Sequence, residues 1–213
     1  KTRLCPPLTP AQAAELARAA LLDTIEACSA SAAREVVVIL DGSPRPWMPA
    51  GIRVIAQRQG DLGNRLLGAV VDLDGRCLVV GMDTPQLTAD LIDDGLRALD
   101  GEGCDAVLGP ALDGGYWAIG LRRADPRAFD GVPMSQPDTG RHQRAALDRL
   151  GLRVRTLRTL RDVDDHADAV AVAAEAPTTR FARALAELGP LPSSRDATGS
   201  PTRSPTTGTE SRR

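Results

Sequence analysis

Along this chain short, continuous apolar runs take turns with stretches whose apolar positions recur at helical spacing. Thr9-Pro10-Ala11-Gln12 predicts the first helix: Thr as N-cap, Pro at the first helical position and Gln three residues on make a capping box. The helix then runs to about Cys28, with Leu16, Ala20, Leu21 and Ile25 on its inner face. Residues 35–40 (EVVVIL) read as a buried strand ended by the turn residues Asp41-Gly42-Ser43-Pro44, and residues 52–56 as a shorter one. A helix follows Asp61. Residues 76–81 (RCLVVG) are apolar enough for the middle of a sheet covered on both faces.

Thr88 then caps a helix carrying Leu91, Ile92, Leu96 and Leu99. Strands at 105–109 and 116–121 flank Asp113-Gly114-Gly115. A helix over 139–150, a strand over 153–157 and helices near 165–175 and 178–188 complete the series. Strand–helix alternation of this kind predicts a Rossmann-like α/β fold, a mostly parallel sheet with helices on both faces. The expected domain covers 1–188. From 189 to 213 Pro, Ser, Thr, Gly and Arg replace the apolar residues, and too little apolar surface remains to offset ordering entropy, so a disordered tail is expected there.

In an open α/β sheet, ligands bind outside the carboxyl ends of the strands, and three polar clusters fall at such ends. Gly81-Met82-Asp83-Thr84-Pro85 follows the most apolar strand; Asp83 there suits either a divalent-metal ligand or a strand-ending Asx turn. Asp113-Gly114-Gly115-Tyr116 reads as a loop admitting a sugar or phosphate, or as an ordinary hairpin turn. In Asp162-Val163-Asp164-Asp165 two carboxylates flank an apolar residue and point the same way if the segment is extended. One of them is a candidate to complete a metal site, and Asp165 to cap the next helix, against a reading of caps and acidic surface alone.

Gln59-Gly60-Asp61-Leu62-Gly63 opens a helix with two glycines, which lets backbone N–H groups approach an anion; Gln59, Gly60 and Gly63 are candidate substrate contacts on that ground. It is neither a Walker loop nor a dinucleotide fingerprint. His142 and His166 are isolated, no GxSxG elbow is present, and Ser135 has no base beside it in the sequence.

Composition narrows the classes. Basic and acidic residues number 26 and 28 and aromatics make up 2%, which argues against nucleic acid as a partner. No run of about 18 apolar residues exists to span a bilayer. Cys5, Cys28, Cys77 and Cys104 are scattered without a CxxC pair, which favours a reducing, cytoplasmic setting over a disulfide framework. Lys1 is the one Lys beside 25 Arg, a compact ammonium suited to phosphate as a point charge.

Taken in order, Lys1-Thr2-Arg3-Leu4, QGDLGNRL from Gln59, GMDTPQL from Gly81, GPALDGGYWAIGL from Gly109, VPMSQPDTG from Val132 and Asp162-Val163-Asp164 resemble the bacterial glycosyltransferase-like proteins of a domain-of-unknown-function family. These proteins are often labelled radical-SAM/selenodomain-associated, and they fall in the nucleotide-diphospho-sugar transferase superfamily. More distantly the chain is similar to the guanylyltransferases of the molybdenum cofactor and of 2-phospho-lactate. The resemblance spans roughly residues 1–175. It implies a glycosyltransferase-A fold with Mg²⁺ or Mn²⁺ held by Asp83 and Asp164, and Lys1 and Arg3 on the phosphates of a nucleotide or nucleotide sugar. Asp83 and Asp113 are the implied catalytic residues, with Asp113, Gly114 and Gly115 facing an unidentified acceptor. Members of the family begin with a strand and a glycine-bearing loop ahead of the Lys-Thr-Arg-Leu block, so the resemblance implies a sheet without that N-terminal strand. The function expected is a metal-dependent, glycosyltransferase-like transferase. A nucleotidylyltransferase, or a nucleotide-binding protein without turnover, are the alternatives.

Overall fold

The computed structural model describes residues 2–73 and 75–189. Lys1 lies outside them, as does the tail expected over 189–213 apart from Gly189. Six strands and six α-helices follow in chain order: α1 (Pro10–Ala30), β1 (Val37–Leu40), β2 (Arg53–Ala56), α2 (Leu62–Asp72), β3 (Cys77–Val80), α3 (Ala89–Asp100), β4 (Ala106–Pro110), β5 (Tyr116–Leu121), α4 (Thr139–Arg149), β6 (Val154–Thr156), α5 (His166–Glu175) and α6 (Arg180–Glu187). Short 3-10 turns add Thr2–Leu4 and Pro126–Phe129.

The helix starts form as their sequences dictate. Thr9 accepts from the Gln12 N–H while the Gln12 side chain accepts from the Thr9 N–H, so two otherwise orphaned donors are satisfied reciprocally. Asp61, Thr88, Asp165 and Thr179 cap α2, α3, α5 and α6 in the same manner, each such cap contributing about 1 kcal/mol.

The sheet departs from the expected mostly parallel arrangement: it is mixed. β1 and β2 pair parallel as a two-stranded unit, and the other four strands run in the order β3-β5-β4-β6. β5 lies antiparallel to both β3 and β4, and only β4 with β6 is parallel. The cause is local. Asp113-Gly114-Gly115 is too short for a crossover helix, so β4 and β5 must close as a hairpin, which returns β5 between β3 and β4.

The apolar runs identified in the sequence fill the core. Val107 of β4 and Leu121 of β5 are almost fully buried, as are Leu99 of α3 and Leu147 of α4. A second cluster joins Leu4, Leu16, Val163, Val172 and Phe181, tying the 3-10 turn and α1 to α5 and α6. Asp23 anchors that cluster: at 8% exposure its carboxylate accepts from the Arg180 N–H (3.0 Å) and the Phe181 N–H (2.8 Å) at the start of α6. Cys77 and Cys104 are buried, and all four cysteines are free thiols. Among the described residues no helix is long and apolar enough to cross a membrane.

Candidate active site

At the carboxyl ends of β3 and β4 the chain opens into a cavity of about 450 Å³. Its lining includes Arg3, Asp83, Asp113, Asp162 and Asp164, so four carboxylates face one guanidinium. All three polar clusters noted in the sequence therefore converge on one place.

Three hydrogen-bonded seams bring them together. Ala111 pairs with Leu160 in parallel register, through Leu160 N–H to Pro110 O (3.1 Å) and Leu112 N–H to Leu160 O (3.0 Å). Counted on from that pair, Asp113 falls level with Asp162. On the other side the Val163 N–H donates to the Asp83 carbonyl at 2.8 Å, and the buried Gln86 amide donates to the Arg161 carbonyl at 2.5 Å. Val163 is buried in the core, and alternation along the extended segment turns Asp162 and Asp164 to the opposite side, toward the cavity.

The outcome is a tight acidic group. One carboxylate oxygen each from Asp113, Asp162 and Asp164 lies within 4.8 Å of the others. Burial, then the charges of Asp113, Asp164 and Asp83, pushes the Asp162 carboxyl up to about 6. Arg3 from the 3-10 turn donates to Asp164 at 2.7 Å. Asp83 lies in the same cavity, outside the group of three, and its carboxylate folds back to where a side chain on Gly81 would sit.

The opposite wall is the segment before α4. Thr139, buried, donates through its hydroxyl to the Pro133 carbonyl and accepts from the Gln136 N–H, both at 2.9 Å. Between them Ser135 takes φ +58°, the one non-glycine residue in the left-handed region among those described. Such a conformation persists only where the surroundings enforce it, here at a cavity wall. The Gly114–Gly115 turn is clasped to this segment: the Gly140 N–H donates to the Gly114 carbonyl at 2.8 Å, and a Cβ on Gly114 would stand 1.7 Å from the Pro137 carbonyl oxygen. Tyr116 adds its ring to the lining, and its hydroxyl meets the fully buried Gln143 side chain at 3.2 Å.

Most, but not all, of the residues singled out in the sequence meet here. Asp83, Asp113, Asp164, Arg3 and Gly115 line the cavity, and Gly114 holds its rim. Gln59 and Gly60 are exposed on the approach to α2 and do not line it, whereas Leu62 and Leu66 of that helix do. Gly63 packs toward Met134 beside the wall. Asp162 was legible only as part of an acidic run, its signal being the two-residue spacing to Asp164 in an extended segment. Ser135 and Thr139 gave none, because their place depends on a contact with the Gly114–Gly115 turn.

A mixed sheet flanked by helices, with its acidic cavity at the strand ends, defines a fold of the nucleotide-diphospho-sugar transferase type. The chain belongs to the family described as uncharacterized protein conserved in bacteria (DUF2064), whose model matches residues 12–136. Its structure is similar to that of a proposed nucleotide-diphospho-sugar transferase from Desulfovibrio desulfuricans G20, with TM-score 0.77 and 26% identity over 87% of each chain. It shares its fold with CMP:2-keto-3-deoxy-manno-octonic acid synthetase solved with CTP, at TM-score 0.53 and 14% identity over 73% of this chain and 86% of that one. No curated protein matches the sequence.

Proposed function

We propose that this chain is a metal-dependent transferase acting on a nucleotide-activated substrate, with transfer of a glycosyl group as the leading reaction. One observation carries the reading: four carboxylates, Asp83, Asp113, Asp162 and Asp164, share a cavity with a single guanidinium, that of Arg3. A cavity so charged repels a nucleotide diphosphate unless a cation stands between them. Mg²⁺ and Mn²⁺ suit the donor set, since these ions take one or two protein carboxylates and complete their shell with phosphate oxygens and water. The 4.8 Å grouping of Asp113, Asp162 and Asp164 fits one such ion, and Asp83 stands near enough for its charge to act on Asp162. The ion would supply neutralisation of charge on the departing phosphate. Arg3, released from Asp164, adds a second positive charge there, while Lys1 is a further candidate outside the described residues.

The neutral side of the cavity, Gly115, Tyr116, Ser135 and Gln136, suits hydroxyl groups of a sugar or an acceptor. Asp113, on the hairpin between the acidic group and this side, is placed to take a proton from an acceptor hydroxyl. A cytoplasmic setting agrees with four free thiols. The likeness to the Desulfovibrio protein supports glycosyl transfer.

Calorimetric titration of a panel of nucleotides and nucleotide sugars, with and without Mg²⁺, tests the reading on the wild type and on Asp164→Ala and Asp83→Ala. Metal-dependent binding that Asp164→Ala abolishes is expected, and no binding by the folded wild type overturns it. Products then divide the chemistry: glycosyl transfer releases a nucleoside diphosphate or monophosphate, nucleotidyl transfer releases pyrophosphate, and tight binding without either product marks a protein that binds without turnover.

A further inference from the structure

Register along the β4–β6 seam changes by one residue shortly before the acidic site. Within the strands, partners are 48 residues apart, as in Ala106 with Val154 and Leu108 with Thr156. At Ala111 with Leu160 they are 49 apart. The hydrogen bonds agree: the Leu157 N–H reaches the Leu108 carbonyl at 2.9 Å, and the next rung is Leu160 N–H to Pro110, three residues on along one side and two on the other. The ladder fails at Pro110 because proline has no N–H to offer the Leu157 carbonyl. One extra residue is accommodated at Arg158-Thr159 as a bulge.

The bulge frees the Arg158 carbonyl, and the indole N–H of Trp117 donates to it at 2.9 Å. Trp117 is 2% exposed and lies on β5, across β4 from the bulge. Its ring crosses over Gly109, where a Cβ would stand 2.5 Å from the indole. The glycine at position 109 is what gives the tryptophan its passage.

Side chains alternate along an extended segment, so a one-residue slip turns each of them to the other face. With the bulge, Asp113 is level with Asp162, and Val163 enters the core. Without it, Asp113 would be level with Arg161, Val163 would turn to the cavity, and Asp162 and Asp164 would turn inward. We propose that Trp117 is a positioning residue: by holding the Arg158 carbonyl across Gly109, it fixes the one-residue bulge that presents Asp162 and Asp164 to the cavity. The consequence for metal binding rests on the transferase reading above, whereas the consequence for register does not.

The test compares wild type with Trp117→Phe, which keeps an aromatic ring in the slot and removes the donor. Gly109→Ala keeps the donor and displaces the ring. Leu99→Ala, a fully buried change in another cluster, serves as the control for general destabilisation. Amide hydrogen exchange at Leu160 and Val163 and calorimetric Mn²⁺ affinity are read together with Tm. Both site variants are expected to exchange about tenfold faster at these two amides while Ile119 of β5 keeps its protection, and to bind Mn²⁺ about tenfold more weakly, in the range of lost positioning contacts around metal ligands. Leu99→Ala is expected to lower Tm at least as far, with Mn²⁺ affinity within about twofold of wild type, the range of an unrelated site. A Trp117→Phe protein with unchanged exchange at Leu160 and Val163 overturns the proposal, as does a Leu99→Ala protein that weakens Mn²⁺ equally. If wild type itself binds no Mn²⁺, the metal reading fails and the exchange data alone decide the register.

Discussion

The Arg3 guanidinium stands 2.7 Å from the Asp164 carboxylate, so the one cation lining the cavity is engaged by one of its four carboxylates. Arg3 is 70% exposed, and a pair so open to solvent contributes about 0.2–1 kcal/mol. A divalent ion therefore displaces it at little cost. Arg3→Ala should leave Tm nearly unchanged and bind Mn²⁺ alone up to about fivefold more tightly, the factor that this range allows. The same variant should bind a metal-nucleotide more weakly by about tenfold, for want of a charge-assisted contact to phosphate. Calorimetry with the metal alone and then with nucleotide separates the two effects.

Asp162 carries the cost of the acidic group. Its folded value of about 6 exceeds the ordinary carboxyl value, so its stabilising protonation is complete below about pH 4 and is lost as pH rises through 6. Asp162→Asn should match wild type at pH 4 and exceed it by about 1–2 kcal/mol at pH 7.5 without metal. In a chain of this size that is a rise of a few degrees in Tm. Mn²⁺ should stabilise wild type and fail to stabilise the variant, as melting curves across pH with and without the ion will register.

Asp105 works in the opposite sense. Hydrogen bonds from the Arg153 guanidinium, and then from its backbone N–H, hold Asp105 well below the usual carboxylate range. Its contribution is present above about pH 4, the ordinary carboxyl value, and is lost as pH falls through the lower folded value. Arg153→Met should lower Tm at neutral pH, with the gap to wild type closing as the buffer is taken toward pH 2. A gap constant from pH 7 to pH 2 would contradict this assignment.

Gly114 has two reasons to be glycine: φ of +88° and a virtual Cβ 1.7 Å from backbone oxygen of Pro137. Backbone cannot retreat as a side-chain tip can, so Gly114→Ala must part the hairpin from the Pro137 segment. A loss of about 2–4 kcal/mol is expected, with transferase turnover reduced more than in an equally destabilised core variant. Chemical denaturation and turnover at a temperature where both variants are folded check the two parts.

Asp23 tests the remote end of the fold. Removing it leaves two backbone donors of α6 without their buried acceptor, so Asp23→Ala should cost about 2–4 kcal/mol. Calorimetric affinity for Mn²⁺ measured well below the new Tm should stay at the wild-type value, because α6 contributes nothing to the cavity lining.

The sequence by itself determined the elements and much of the chemistry. Thr9, Asp61, Thr88 and Asp165 act on N–H groups two or three residues away, so their caps were legible wherever they occurred. The apolar runs marked the core strands, and the three acidic clusters were found at strand ends. Asp113-Gly114-Gly115 also carried the hairpin signal that the expectation of a mostly parallel sheet set aside. Only the tertiary structure decided that β5 returns between β3 and β4, and that Asp113, Asp162 and Asp164 form the tight group while Asp83 stands beside it. The physical reason is the same for both. Pairing partners and register are set between segments about 50 residues apart, and a single bulge, held by Trp117 and allowed by Pro110 and Gly109, reverses which side chains face the cavity.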